Sequence, residues 1–155
     1  MYKILIVDDE SIEREGISFL IEKYKLPLEV AQATNGKTAL EYMRTHPIDI
    51  LLTDVKMPQM DGLELARHTF EKYPDVRILV FSAYGEFEFA KKAMAAQAVS
   101  YLLKPIEVDE FQRVMAQILA RCDELAEKKK EELKIAAIYL TAIGSFTIGA
   151  ACGGH

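Results

Sequence analysis

A chain of 155 residues, half of them apolar and 28% charged, has the length and balance of one folded domain with a sizeable core, which excludes fibrous and disordered classes. Its net charge of −5 offers no positive field to gather phosphates, so no nucleic-acid binding is expected of this chain alone. The two cysteines, Cys122 and Cys152, lie far apart with no metal-ligand spacing and too few partners for a disulfide framework, which fits reduced thiols in the cytoplasm.

The apolar run at residues 4–7 is too short for a secretory signal and reads instead as a buried strand. Further runs rich in Ile, Val and Leu follow at 48–52, 78–81 and 99–103, the pattern of strands covered on both faces in a parallel sheet. A weaker, alternating run at 28–33 fits a strand near the sheet edge. Helical spacing fills the intervals, first with Ile12, Gly16, Phe19, Leu20 and Tyr24, later with Phe87, Ala90, Ala93 and Met94. Turn residues punctuate the joints: Asn35-Gly36, His46-Pro47, Asp61-Gly62 and Tyr73-Pro74-Asp75. Five strand and helix alternations predict an α/β fold, a doubly wound parallel sheet with helices on both faces.

From about residue 108 one long helix is expected, with Phe111, Val114, Met115, Ile118 and Leu119 on one face, running through Leu125 into the charged stretch 127–134. Residues 135–152 hold 18 residues without a charge, the lower edge of membrane-spanning length. Gly144, Ser145, Thr147 and Gly149 weaken both helix and membrane readings there. The order of expectation is a helix or coil packed on a partner or within a dimer, then a truncated or altered end, then a membrane span. Contact with a membrane is therefore not expected.

Polar residues sit where the strands end: Asp8 and Asp9 after the first, Asp54 after the third, Ser82 after the fourth, Lys104 after the fifth. In an open parallel sheet these carboxyl ends share one edge, where ligands bind near the topological switch point. Three carboxylates within a few ångströms repel, at about 4 kcal/mol per pair ~4 Å apart in an effective dielectric near 20. A hard cation relieves them, and oxygen ligands with room for waters favour Mg²⁺, with Asp9 and Asp54 as direct ligands and Asp8 acting through water. An ionised Asp54 could then attack phosphorus to give an acyl phosphate, with Lys104 and Ser82 as donors to the phosphoryl oxygens.

The strings ILIVDDE, LLTDVKMPQMDGLEL, VFSAYGEFEFAKKAM and SYLLKPIE, in this order, resemble the signatures of response-regulator receiver domains of two-component signalling, over residues 1–121. The third is most similar to receivers followed by an AraC-type DNA-binding domain. The resemblance implies a flavodoxin-like sheet of strand order 2-1-3-4-5. It implies phosphorylation at Asp54 by a histidine kinase, a metal pair at Asp8 and Asp9 completed by the backbone carbonyl of Lys56, and switch or phosphate contacts at Ser82 and Lys104. Tyr101 is then the aromatic that turns inward with the hydroxyl of Ser82, and the Lys104–Pro105 bond is cis. It further implies a homodimer surface on the fourth helix, fifth strand and fifth helix, and a phosphoacceptor switch that catalyses only its own phosphorylation and dephosphorylation. Residues 122–155 fall outside the resemblance, as a helical extension and apolar tail of open role.

Each residue also has a plainer reading. Asp8 or Asp9 could cap the first helix, although two adjacent acids together with Asp54 exceed what a cap requires. Ser82 alone could merely end a strand, Lys104 could be solvated, and Tyr101 could be a half-buried core aromatic. Gly36-Lys37-Thr38 lacks the earlier glycine of a phosphate-binding loop, since position 31 is Ala31. His46, His68 and His155 are scattered and read as surface residues. Competing functions are a phosphate-independent scaffold and an aspartyl-nucleophile phosphatase; haloacid-dehalogenase-like phosphatases resemble this site but carry a second Asp two positions after the nucleophile, where Lys56 stands.

Overall fold

A computed structural model describes residues 1–153 apart from 96 and 98, with the side chains of 84 and 145–153 also left aside. Five strands, β1 (Tyr2–Val7), β2 (Leu28–Ala33), β3 (Ile50–Asp54), β4 (Arg77–Ala83) and β5 (Val99–Lys104), alternate with helices α1 (Ser11–Lys23), α2 (Gly36–Thr45), α3 (Gly62–Lys72), α4 (Tyr84–Ala93) and α5 (Val108–Gly153). All pairings are parallel and the order is β2-β1-β3-β4-β5, so β1 and β3 flank the point where the winding reverses. The weakly patterned strand, β2, is one edge and β5 the other.

Strand periodicity sorts the core. Leu5, Val7 and Leu51 pack with Ala39, Met43 and Leu65 of α2 and α3. Ile78 and Val80 pack with Ala66 of α3 and with Ala90 and Met94 at α4. The alternate residues Ile4, Ile6, Ile50, Leu52, Leu79 and Phe81 are equally buried, and so are Ile17 and Ile21 of α1 and Phe111, Met115 and Ile118 of α5. Successive strand side chains point to opposite faces, so each face of the sheet has its own apolar layer.

Side-chain caps start two of the helices. Asn35 accepts from Thr38 N at 2.8 Å and Asp61 from Glu64 N at 2.8 Å. The residues at 144–149 that weaken a helix reading do not end the helix: α5 continues to Gly153. Isolated glycines cost about 1 kcal/mol each, whereas the surrounding Ala, Leu and Ile propagate a helix already nucleated, and the segment holds no proline. Two compact units divide the chain, Met1–Ile118 and Leu119–His155. Among the described residues, no helix is long and apolar enough to cross a membrane.

Candidate functional site

The site grows from the carboxyl ends of β1, β3, β4 and β5. Asp8, the first residue beyond β1, is 2% exposed, while its neighbour Asp9 is open to solvent. Asp8 does not cap α1: the cap position is Glu10, whose side chain makes no capping bond. Instead Asp8 Oδ1 accepts from Glu10 N at 2.9 Å, and its carbonyl accepts from Arg14 Nη1 at 2.6 Å. Arg14 is in turn oriented by Gln32 at 3.0 Å, a brace that no motif in the sequence signals.

Asp54 ends β3 itself, one residue nearer the strand than a loop acid would be. Its Oδ1 accepts from Val55 N at 2.8 Å and lies 3.2 Å from Lys104 Nζ. The backbone behind it is clamped. Thr53 Oγ1 donates to the Asp54 carbonyl at 2.9 Å, Gly62 N donates to Val55 O at 2.7 Å, and a Cβ on Gly62 would fall inside the Asp54 carbonyl. Gly62 thus serves the site as well as opening α3, which Asp61-Gly62 as a turn signal does not reveal.

Lys104, the last residue of β5, reaches both acids, at 3.2 Å to Asp54 and 3.6 Å to Asp8 Oδ2, with its ammonium 4.7 Å from the Phe81 ring centroid. The Lys104–Pro105 peptide is cis, as the resemblance implies. Ser82 is fully buried and its Oγ has no hydrogen-bond partner among the described residues. Tyr101 is half-buried, donates to Ala90 O at 3.5 Å and meets Phe87 edge-on at 6.0 Å. Lys56 sends its side chain outward to Glu86 in the first turn of α4, 3.2 Å away, an acid near Asp54 that the motifs do not mark. The sequence-derived residues Asp8, Asp9, Asp54 and Lys104 are brought together, with Ser82 the penultimate residue of the neighbouring strand β4.

Electrostatics explain how strongly the site is loaded. Burial pushes the Asp8 carboxyl up to about 6, with Asp54 adding to the rise and the Glu10 amide and Lys104 opposing it. Asp54 is likewise raised by burial, against the pull of Lys104. Burial lowers the Lys104 ammonium, but Asp54 and Asp8 outweigh that and leave it raised. With the three carboxylates ionised, one ammonium leaves two net negative charges uncompensated. Oxygens of Asp8, Asp9 and Asp54 lie within 4.8 Å of one another, and the buried Asp8 Oδ2 lacks a hydrogen-bond donor. Such a hard-oxygen donor set with a charge deficit of two fits a small divalent cation.

A groove of about 370 Å³ opens beside Lys104, lined by Ile17, Phe19, Leu20, Ile106 and Val108 among others, while Ile12 and Phe19 stand exposed on α1. Among the other expected surface residues, His46 stacks on Tyr42 with centroids 4.2 Å apart and planes 5° from parallel.

Comparison with known proteins agrees with this geometry. The family model described as response regulator receiver domain matches residues 4–116. An uncharacterized transcriptional regulatory protein, YesN of Bacillus subtilis (strain 168), is 39% identical over 137 residues, 86% of this chain and 37% of that protein. Two uncharacterized response regulatory proteins of Staphylococcus epidermidis strains match over 92% of this chain and 55% of their own length. The chain therefore spans between about a third and just over half of these curated relatives. Among solved structures, a two component transcriptional regulator AraC from Clostridium phytofermentans ISDg shares 35% identity at a TM-score of 0.74, covering 80% of this chain and 97% of that one. The REC domain of AraT, a response regulator from Geobacillus stearothermophilus, shares 38% identity at a TM-score of 0.69, covering 83% and 98%.

Proposed function

Because the chain belongs to the response regulator receiver domain family, whose general function is phosphorylation on an aspartate, we propose that Asp54 is its phosphoacceptor. The observation that carries this reading is the buried Asp54 carboxylate paired with Lys104 inside the acidic cluster at the carboxyl edge. Asp8, Asp9, Asp54 and the Lys56 carbonyl would hold Mg²⁺. When bound, that ion offsets the two net negative charges and shares those of the phosphoryl oxygens.

The protein's own groups do the rest. Val55 N and Lys104 hold Asp54 Oδ1, which aims the Oδ2 lone pairs at phosphorus. Oδ2 forms the new bond to phosphorus, the bond between phosphorus and the donor nitrogen breaks, and the electron pair leaves with the donor histidine. Lys104 then pairs with one phosphoryl oxygen, and the unpartnered Ser82 hydroxyl donates to another. Tyr101, on the strand next to Ser82, would follow that hydroxyl inward as in the family, which is how the site would bias the α4–β5–α5 surface towards a second copy. Family members interact with histidine kinases, and the apolar groove between α1 and residues 105–108 gives such a kinase a seat next to Lys104. The relatives' names as transcriptional regulators suggest that the output is transcription, and the location that goes with this reading is the cytoplasm.

Incubation with Mg²⁺ and a small phosphodonor should add one phosphate by intact mass, and Asp54→Asn should add none. Equal labelling of the two proteins would overturn the assignment, and so would labelling of the parent chain that persists in excess chelator.

A further inference from the structure

The second unit carries a feature that the phosphoacceptor reading leaves unused. Leu133, Ile135, Ile138, Tyr139, Leu140 and Ile143 of α5 are 42–71% exposed, an apolar surface concentrated in three turns of helix. Spacing distinguishes one stripe within it. Ala126, Lys129, Leu133, Ala136, Leu140 and Ile143 follow one another at alternating steps of three and four, and Thr147 and Ala150 hold the next two positions of the series. Residues 126–150 thus sustain a 3.5-residue repeat for three and a half heptads, with Lys129 the one charged member. A rival stripe through Ile135, Ile138 and Ala142 runs back onto Glu131, Lys128 and Glu124, and cannot extend upstream as an apolar seam.

A seam of this period is complementary to another helix with the same period, because knobs at each layer need holes at the same interval. A second copy of this chain supplies it at every layer. The area is that of a short helix pairing: at on the order of 100 Å² each, Leu133, Leu140 and Ile143 give about 300 Å² on the seam, and Tyr139 beside it, the small seam residues and the lysine stems add to this, towards the roughly 800 Å² per partner of a standard interface. We propose that residues 126–150 of α5 pair with the same segment of a second copy through the frame containing Leu133, Ala136, Leu140 and Ile143. None of these residues belongs to the Asp54 site, so the pairing forms without phosphodonor or Mg²⁺.

Sedimentation equilibrium of the full chain, without phosphodonor, tests this. The unsubstituted protein sediments as a dimer, and Leu133→Glu with Leu140→Glu weakens association roughly 100-fold or more. Ile138→Glu removes as large an apolar group from outside the frame and leaves association within about threefold. Under mild oxidant, Leu140→Cys forms a cross-linked dimer and Ile138→Cys does not, while circular dichroism verifies that each variant folds. A monomeric parent protein, equal weakening by Ile138→Glu, or equal cross-linking at the two positions overturns the proposal. So does flotation of the parent and all variants alike with vesicles of phosphatidylcholine and phosphatidylglycerol, which would mark the surface as lipid-binding.

Discussion

An aspartate stands at each end of β3, and the two are treated in opposite ways. Asp49, just before the strand, accepts from Lys3 N at 2.8 Å through its carboxylate, donates to Lys3 O at 2.9 Å and accepts from Arg77 N at 2.9 Å through its carbonyl. Its polar groups are spent on tying β1, β3 and β4 together. Asp54, at the other end, is buried, raised in pKa by that burial and answered mainly by a lysine shared with a second acid. The same residue type serves as a strut at one edge of the sheet and is buried at an electrostatic cost at the other. Where a fold tolerates such an arrangement, chemistry is the usual reason.

The contrast can be broken most directly at Lys104. Lys104→Met leaves Asp8 and Asp54 buried without their cation, and should cost about 3–5 kcal/mol in urea unfolding at pH 7.5. Asp49→Asn weakens a single bond, to the part-buried Lys3 amide, and should cost only about 1–2 kcal/mol. Equal losses would remove the distinction between the two ends.

Asp8 sharpens it with the opposite sign. Its folded pKa of about 6 exceeds the ordinary 3.8, so between those values the native state holds a proton that the unfolded chain has released. The contribution of Asp8 to stability therefore falls as pH rises through this window and stays unfavourable above it. Asp8→Asn should stabilise the metal-free protein by about 3 kcal/mol at pH 7.5 and by little at pH 4, read as the difference in urea midpoints. A substitution that destabilises at pH 7.5 would show that the acid is not held at a cost.

Mg²⁺ at about 100 times its dissociation constant should stabilise the parent protein by about 2.7 kcal/mol at pH 7.5. The same concentration should do less at pH 5, where the Asp8 proton must first leave, and thermal shifts at the two pH values measure the difference. Smallest of all is Ser82→Ala. Because Ser82 Oγ has no partner to lose, the change should alter stability by less than about 0.5 kcal/mol, while Thr53→Val, which removes a bond to the Asp54 carbonyl, should cost about 1 kcal/mol. A large loss in Ser82→Ala would mean that its hydroxyl is structural.

Much of this was readable in the chain. Buried parallel strands are short apolar runs, and the residues that follow them must gather at one edge, so Asp8, Asp54, Ser82 and Lys104 could be placed before any coordinates. Strand limits were less exact: β1 begins at Tyr2 and β4 reaches Ala83, since hydrogen-bond ladders extend past the apolar residues that announce them, whereas β3 begins at Ile50 and not at 48, because Ile48 packs on the core from outside the ladder. The unequal burial of Asp8 and Asp9 was not legible, because adjacent residues beyond a strand leave it in different directions. Nor were the contacts of Arg14, Gly62 and Glu86, which depend on approaches between segments far apart in sequence or on a backbone separation that only coordinates fix.

Lys104 has one further consequence, which follows from its place on β5. That strand borders the sheet and is laddered on one side only, to β4, whereas β3 is stitched on both sides. Tugging the lysine head group therefore works against half the restraint that would resist the same tug on the acid opposite. Any mechanical message written at the anionic centre has its softest exit sideways, through the margin of the sheet.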